Sequence, residues 1–115
     1  LIVDDDADIR EAVRVSLEDE GYAVVEAADG HAALEWLRSH PPPPVVLLDW
    51  NMAPMNGPQF MAEIAKDPTL ADLPIVVLTA DTMALQKVKD LRYAGLLKKP
   101  FQLDELFTVV RRYCG

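Results

Sequence analysis

Five short apolar runs, each followed by a segment with helical spacing, restrict the folds open to this sequence. Each run is rich in Val, Leu and Ile and has the length of a strand buried on both faces of a parallel sheet. Because strands and helical segments alternate, right-handed crossovers must put helices on both faces of the sheet. The order predicts a three-layer α/β fold of five strand–helix units. The predicted strands are Leu1–Val3, Ala23–Val25, Val45–Leu48, Ile75–Leu78 and Leu96–Leu97.

The predicted helices have apolar residues every three or four positions and typical end residues. Asp8 with Glu11 has the spacing of an N-terminal cap, and Gly21 is typical of a helix end. Pro58 is tolerated at the start of the third helix. The fourth helix is predicted from about Thr82 to Tyr93, and the fifth from about Leu103 to Tyr113.

The length and composition predict a single domain over residues 1–115. A chain of 115 residues builds one hydrophobic core. The net charge of −8 argues against direct binding of nucleic acid. No apolar run approaches the roughly 20 residues of a membrane span, and no basic segment leads into a signal-like stretch, so we expect a soluble cytoplasmic protein without a membrane partner. Cys114 is the single cysteine, and we expect it to be an incidental thiol.

Reactive side chains follow four of the five predicted strands. Asp4 and Asp5 end the first strand, Asp49 the third, Thr79 the fourth and Lys99 the fifth. In open parallel sheets, ligands bind at the carboxyl ends of the strands, where the strand-to-helix loops meet. Each residue alone would more often be a loop residue, a helix cap or a solvated charge. Their joint occurrence at one edge predicts a site for a hard cation and a phosphoryl group.

The three carboxylates favour Mg²⁺ as the cofactor. They repel one another, and a divalent cation offsets that repulsion better than a lysine does. Mg²⁺ takes oxygen ligands, and the site offers none of the His or Cys ligands of zinc. Asp49 could then act as a nucleophile that forms an acyl phosphate, with Lys99 neutralising phosphoryl oxygens and Thr79 donating a hydrogen bond.

Four segments resemble the signature segments of response-regulator receiver domains, in order and over essentially the whole chain: LIVDDDADIRE, VVLLDWNMAPMNG, PIVVLTAD and LLKKPF. The DWNM stretch looks especially like that of chemotaxis regulators. The resemblance implies a flavodoxin-like (βα)5 sandwich with strand order 2-1-3-4-5, and a cis bond between Lys99 and Pro100. It also implies roles for single residues: Asp4, Asp5, Asp49 and the backbone carbonyl of Asn51 as Mg²⁺ ligands, Asp49 as phosphoacceptor, Thr79 as switch hydroxyl and Lys99 as the phosphate-contacting base.

The resemblance further implies a regulatory domain of a two-component system, with at most self-phosphorylation and self-dephosphorylation activity. The phosphoryl donor would be a histidine kinase or a phosphotransfer protein. The phosphorylated form would act on a protein target or a fused output domain. A homodimer, if formed, would use the fourth helix, fifth strand and fifth helix.

Three features of the chain depart from the family pattern. Ala53 stands where a proline usually follows the DWNM-type segment, with Pro54 one position later, so we expect the loop after the third strand to take a slightly different path. The stretch between Thr79 and Lys99 is about two residues shorter than is typical. Leu96 occupies the position of the aromatic residue that usually rotates inward on activation, so phosphorylation must act here through a packing change.

Two other classes compete with this interpretation. A haloacid dehalogenase-type phosphohydrolase also uses a strand-end aspartate and Mg²⁺, and Asp4-x-Asp6 fits its pattern superficially. That pattern usually continues with Thr or Val where this chain has Asp8, and such enzymes are longer. The second alternative is a degenerate receiver that serves only as a protein-binding scaffold, which the missing aromatic favours and the complete site set disfavours.

Overall fold

The computed structural model describes residues 1–50, 55–80, 95–99 and 101–114. Within these residues, an α-helix follows the first, second, third and fifth β-strands as predicted, and the segment predicted as the fourth helix lies outside them. The last helix, α4, is the one predicted as the fifth helix. In chain order the elements are β1 Ile2–Val3, α1 Ala7–Asp19, β2 Glu26–Ala27, α2 Gly30–Ser39, β3 Val46–Asp49, α3 Gly57–Lys66, β4 Ile75–Thr79, β5 Gly95–Lys98 and α4 Leu103–Cys114.

The five strands form one parallel sheet in the order β2-β1-β3-β4-β5. This order confirms the flavodoxin-like fold, in which β1 and β3 are neighbours although β2 lies between them in the chain. β2 begins later than predicted. Ala23–Val25 approaches the sheet with only the carbonyl of Val25 bonded to the N–H of Ile2 (2.9 Å), and the paired residues are Glu26 and Ala27.

Successive residues of the central strands enter two different cores. In β4, Ile75 and Val77 pack with α2 and α3, whereas Val76 and Leu78 pack with α1 and α4. The apolar runs of β1, β3 and β4 are continuous because both faces of these strands are covered. β5 differs from the expectation of two buried faces: only Leu97 is buried, and Leu96 is 37% exposed. Among the described strands, β5 lies at the edge of the sheet and is paired with β4.

The start of α1 corrects the predicted cap. Asp6 is the N-cap, and its carboxylate accepts hydrogen bonds from the N–H groups of Asp8 (3.0 Å) and Ile9 (3.3 Å). Asp8 lies inside the first turn, two residues after the N-cap position, so it cannot act as the N-cap. The end of α1 is as predicted, since Gly21 has φ +93°, which favours glycine.

Several expectations lie outside the described residues. These are the predicted helix from Thr82 to Tyr93, the metal-ligand role of Asn51, the altered loop at Ala53 and Pro54, and the bond from Lys99 to Pro100. In the described part of the chain, no helix has the length and apolar character that crossing a membrane requires.

Candidate phosphoryl and metal site

The register between β1 and β3 brings two carboxylates to the same point of the sheet edge. Val3 is paired with Leu48, so the next residues, Asp4 and Asp49, leave the sheet side by side. Both are buried, with exposed fractions of 1% and 6%. Asp5 follows directly and is exposed. One carboxylate oxygen from each of the three lies within 4.8 Å of the others.

Lys99, which follows β5 at the same carboxyl edge of the sheet, contacts the two buried carboxylates. Its Nζ lies 3.1 Å from Oδ1 of Asp49 and 3.5 Å from Oδ2 of Asp4. The backbone places it there, because β5 is hydrogen-bonded to β4 and the N–H of Lys99 donates to the carbonyl of Thr79 at 2.8 Å. The lysine side chain keeps 20% of its surface exposed, so the ion pairs lie at the mouth of the site.

The electrostatics of the site are those of a crowded acidic cluster. Burial raises the pKa of the Asp4 carboxyl above its ordinary value, and the nearby Asp49 carboxylate raises it further. The N–H of Asp6, which donates to Oδ1 of Asp4 at 2.9 Å, and the ammonium of Lys99 lower that pKa again. Lys99 therefore compensates the cluster only in part.

The donor set fits a hard divalent cation. Three carboxylates within 4.8 Å offer only oxygen atoms, and Mg²⁺ binds through one or two carboxylates while keeping water or phosphate oxygens as its other ligands. The incomplete compensation of Asp4 also favours a cation there. The described cluster could thus hold a metal ion, as receiver domains generally do.

Thr79 ends β4 beside β3 and is fully buried. Its neighbour in the sheet, β3, carries Asp49 at the same edge, because Leu78 is paired with Asp49. The structure therefore gathers Asp4, Asp5, Asp49, Thr79 and Lys99 at one edge, as the strand-end positions predict.

Trp50, the residue after Asp49, is buried between β4 and the start of α3. Its N–H donates to the carbonyl of Leu78, and its carbonyl accepts from the N–H of Gly57, both at 3.0 Å. The ring is 3% exposed and lies against the α-carbon of Gly57 so closely that a Cβ there would be 2.3 Å from Cε3. The residue that follows Asp49 is thus held by β4 and by the start of α3.

The sequence did not single out Arg10, which lies beside the acidic turn formed by Asp4, Asp5 and Asp6 between β1 and α1. Its Nη1 donates to the backbone carbonyl of Asp4 at 2.8 Å, and its Nε donates to Oε1 of Glu26 at 3.2 Å. Both partners come from other elements, and a backbone carbonyl leaves no signal in a sequence. The one signal in the sequence is that Arg10 lies near the start of the helix that follows Asp4 and Asp5.

Other residues considered in the sequence lie away from this edge. His31 is exposed on α2, and His40 follows that helix, exposed and stacked on Trp36 with ring centroids 4.5 Å apart. Trp36 is half-buried, as expected. Cys114 is exposed at the end of α4.

A parallel sheet in this order, with an acidic cluster and a lysine at its carboxyl edge, defines the receiver class of signalling domains. A scan of family models agrees: the model described as "Response regulator receiver domain" matches residues 1–111. The chain belongs to the response regulator receiver domain family. It is therefore a regulatory domain of two-component signalling, and the family match sets aside the dehalogenase alternative.

Relatives and solved structures are consistent with this family. Response regulator Rre1 of Synechocystis sp. is 36% identical over 114 residues, which are 96% of this chain and 49% of the relative. The phosphate regulon transcriptional regulatory protein PhoB of Escherichia coli is 34% identical, with the same coverage. The crystal structure of chemotaxis response regulator CheY4 of Vibrio cholerae is similar with a TM-score of 0.88 at 33% identity, covering 97% of this chain and 94% of that one. The chain spans about half the length of the curated relatives it matches.

Proposed function

We propose that this chain takes a phosphoryl group from a histidine kinase or a phosphotransfer protein onto Asp49. The observation that carries the proposal is the meeting of the Asp4, Asp5 and Asp49 carboxylates within 4.8 Å, with Nζ of Lys99 3.1 Å from Asp49. A phosphoryl group needs an in-line nucleophile and positive charge around its oxygens. The cluster supplies a carboxylate nucleophile with an ammonium beside it.

In the proposed reaction, a carboxylate oxygen of Asp49 attacks the phosphorus atom. The new O–P bond forms as the bond from phosphorus to the donor, such as an imidazole nitrogen, breaks and the electron pair leaves with the donor. Lys99 moves its ammonium from the carboxylates of Asp4 and Asp49 to the phosphoryl oxygens. Thr79 donates its hydroxyl hydrogen to one of those oxygens. Hydrolysis of the acyl phosphate by water returns the carboxylate and releases inorganic phosphate.

The proposal includes Mg²⁺ as the cofactor, held by Asp4, Asp5, Asp49 and the carbonyl of Asn51. Bound there, Mg²⁺ would neutralise the charge that develops on the phosphoryl oxygens. Asp4 supports this assignment, because it is buried and its pKa is raised even with Lys99 in contact. Asp5 is exposed and free to approach a hydrated ion, which suits the reluctance of Mg²⁺ to lose water.

We propose that residues 1–115 form a single receiver domain whose phosphorylated state acts on a protein target or a fused output domain. The relatives support a larger protein, since they are about twice as long as this chain. An apolar groove beside the site supports a protein donor: it has a volume of about 430 Å³, and Lys99 lines it together with Ile9, Phe101 and Leu103.

The catalytic activity of the domain itself would be limited to self-phosphorylation and self-dephosphorylation. A homodimer would use β5, α4 and the segment predicted as the fourth helix.

The test is incubation with acetyl phosphate, with and without Mg²⁺, followed by intact mass measurement. We expect one phosphoryl group on the wild type only when Mg²⁺ is present, and none on Asp49→Asn. Asp72→Asn is the matched control, because Asp72 is exposed before β4 and away from the cluster. It should label like the wild type.

Labelling of Asp49→Asn at the wild-type rate would refute Asp49 as the phosphoacceptor. If the wild type gains no phosphate and its melting temperature does not respond to millimolar Mg²⁺, the degenerate scaffold becomes the better interpretation.

A further inference from the structure

One guanidinium group ties together three elements next to the acidic turn. Arg10 belongs to the first turns of α1, its Nη1 donates to the carbonyl of Asp4 at the end of β1 (2.8 Å), and its Nε donates to Glu26 in β2 (3.2 Å). The arginine side chain is 18% exposed. The Glu26 side chain is more exposed, at 32%, so the ion pair lies at the surface, whereas the bond to the Asp4 carbonyl is partly buried.

The contact with Asp4 completes the anchoring of the acidic turn. The N–H of Asp4 donates to the carbonyl of Ala27 at 3.2 Å, and Oδ1 of Asp4 accepts from the N–H of Asp6 at 2.9 Å. Arg10 holds the remaining backbone group of the residue, its carbonyl. That carbonyl belongs to the peptide unit joining Asp4 to Asp5, so its orientation decides where the Asp5 carboxylate leaves the chain.

We propose that Arg10 is a positioning residue for the divalent-cation site, holding the Asp4–Asp5 peptide so that both carboxylates face Asp49. The inference rests on the proposed function, because it concerns the same cation. Arg10 itself touches neither the cation nor the phosphoryl group in this role. It acts through the backbone on which two of the carboxylates depend.

Positioning and charge make opposite predictions for this residue. Arg10 is a cation close to the acidic cluster, so by Coulomb's law alone its removal should strengthen Mg²⁺ binding. If it positions the turn, its removal should weaken binding, because the Asp4–Asp5 peptide is then free to turn away. The sign of the change in Mg²⁺ affinity therefore separates the two.

Arginine is needed for the bridge and lysine is not equivalent. The guanidinium reaches a carbonyl and a carboxylate at once from different nitrogens, in a fixed planar geometry. A lysine at position 10 would keep the charge and make at most one of these contacts with good geometry. Arg10→Lys thus changes the geometry and leaves the charge in place.

The experiment is a Mg²⁺ titration followed by Trp50 fluorescence in a Trp36→Phe background, which leaves Trp50 as the single tryptophan. We expect Arg10→Gln to raise the Kd for Mg²⁺ about tenfold, which is the lower end of the effect of groups that orient metal ligands. Arg10→Lys should also bind more weakly than the parent, to a smaller degree. The matched control is Arg38→Gln, which breaks an exposed pair with Glu63 (3.8 Å) between α2 and α3 and should leave the Kd unchanged.

Melting temperatures in EDTA separate positioning from a structural role. A merely structural role would lower the melting temperature and leave the Kd of the folded protein as it was, which would overturn the proposal. Mg²⁺ binding by Arg10→Gln that equals or exceeds that of the parent would also overturn it. If Arg10→Gln does not fold, Arg10→Lys decides, and a parental Kd refutes the proposal. If the parent itself shows no saturable response to Mg²⁺, the cation site fails and the positioning role fails with it.

Discussion

Replacement of Gly57 by alanine should show how tightly the residue after Asp49 is held. A Cβ at position 57 would lie 2.3 Å from Cε3, 2.7 Å from Cδ2 and 3.0 Å from Cα of Trp50. Carbon atoms in ordinary contact are about 3.5–4.0 Å apart, so atoms must separate by more than about 1 Å. The ring is buried in the α2–α3 core, and the backbone on both sides of it is hydrogen-bonded.

The expected destabilisation follows from two opposing terms. Overpacking of a close-packed core costs about 1–3 kcal/mol. Replacing glycine by alanine restricts the unfolded chain and returns about 0.4–1 kcal/mol. The net loss in the free energy of unfolding should be about 1–2 kcal/mol, which for a chain of this size lowers the melting temperature by about 4–8 °C.

The assay is thermal and urea unfolding of Gly57→Ala beside a matched control, Gly95→Ala. A Cβ at position 95 would lie 3.7 Å and 4.0 Å from the methyl carbons of Val76, which is ordinary contact, so Gly95→Ala should be neutral or slightly stabilising. Gly57→Ala should also label more slowly with acetyl phosphate, because moving Trp50 moves Asp49. Equal stability of the two variants would refute the close packing of Trp50 on α3.

Two further predictions concern pH and the switch. In Mg²⁺-free solution, burial raises the pKa of Asp4 in the folded protein above its unfolded value of 3.8. The stability that the protonated Asp4 contributes is therefore fully present below pH 3.8. It is lost as the pH rises through the folded pKa. Asp4→Asn should remove this loss and be more stable than the wild type at neutral pH in EDTA; equal pH slopes in urea titrations would contradict this. Leu96→Tyr should enlarge the amide shifts that beryllofluoride causes in β5, since Leu96 is 37% exposed and has no ring to bury. A large shift in the wild type to which tyrosine adds nothing would show that the missing aromatic is irrelevant.

Much of the candidate site could be predicted because its residues follow strands. The apolar runs before Asp49 and Thr79 mark where β3 and β4 end, and parallel strands end at the same edge. Arg10 could not be predicted in the same way. Its partners are the carbonyl of Asp4, just after β1, and a glutamate of β2, and neither pairing has a fixed spacing along the chain.

The helix ends show the same division on a smaller scale. Gly21 was recognisable, because a left-handed residue at a helix end favours glycine whatever surrounds it. The N-cap was not, because Asp4, Asp5, Asp6 and Asp8 are chemically equivalent candidates. Where β1 leaves the sheet decides which aspartate is left at the first turn, and that residue is Asp6.

The sequence by itself determined the alternation of strands and helices, the presence of two covered sheet faces and the set of reactive side chains at the strand ends. These depend on local periodicity, which each segment carries alone. The tertiary structure decided which strands are neighbours, the register that sets Asp4 beside Asp49, and the exposure of Leu96 on β5. Register and strand order arise from packing between segments far apart in the chain, where a shift of one residue would send every side chain of a strand to the opposite face.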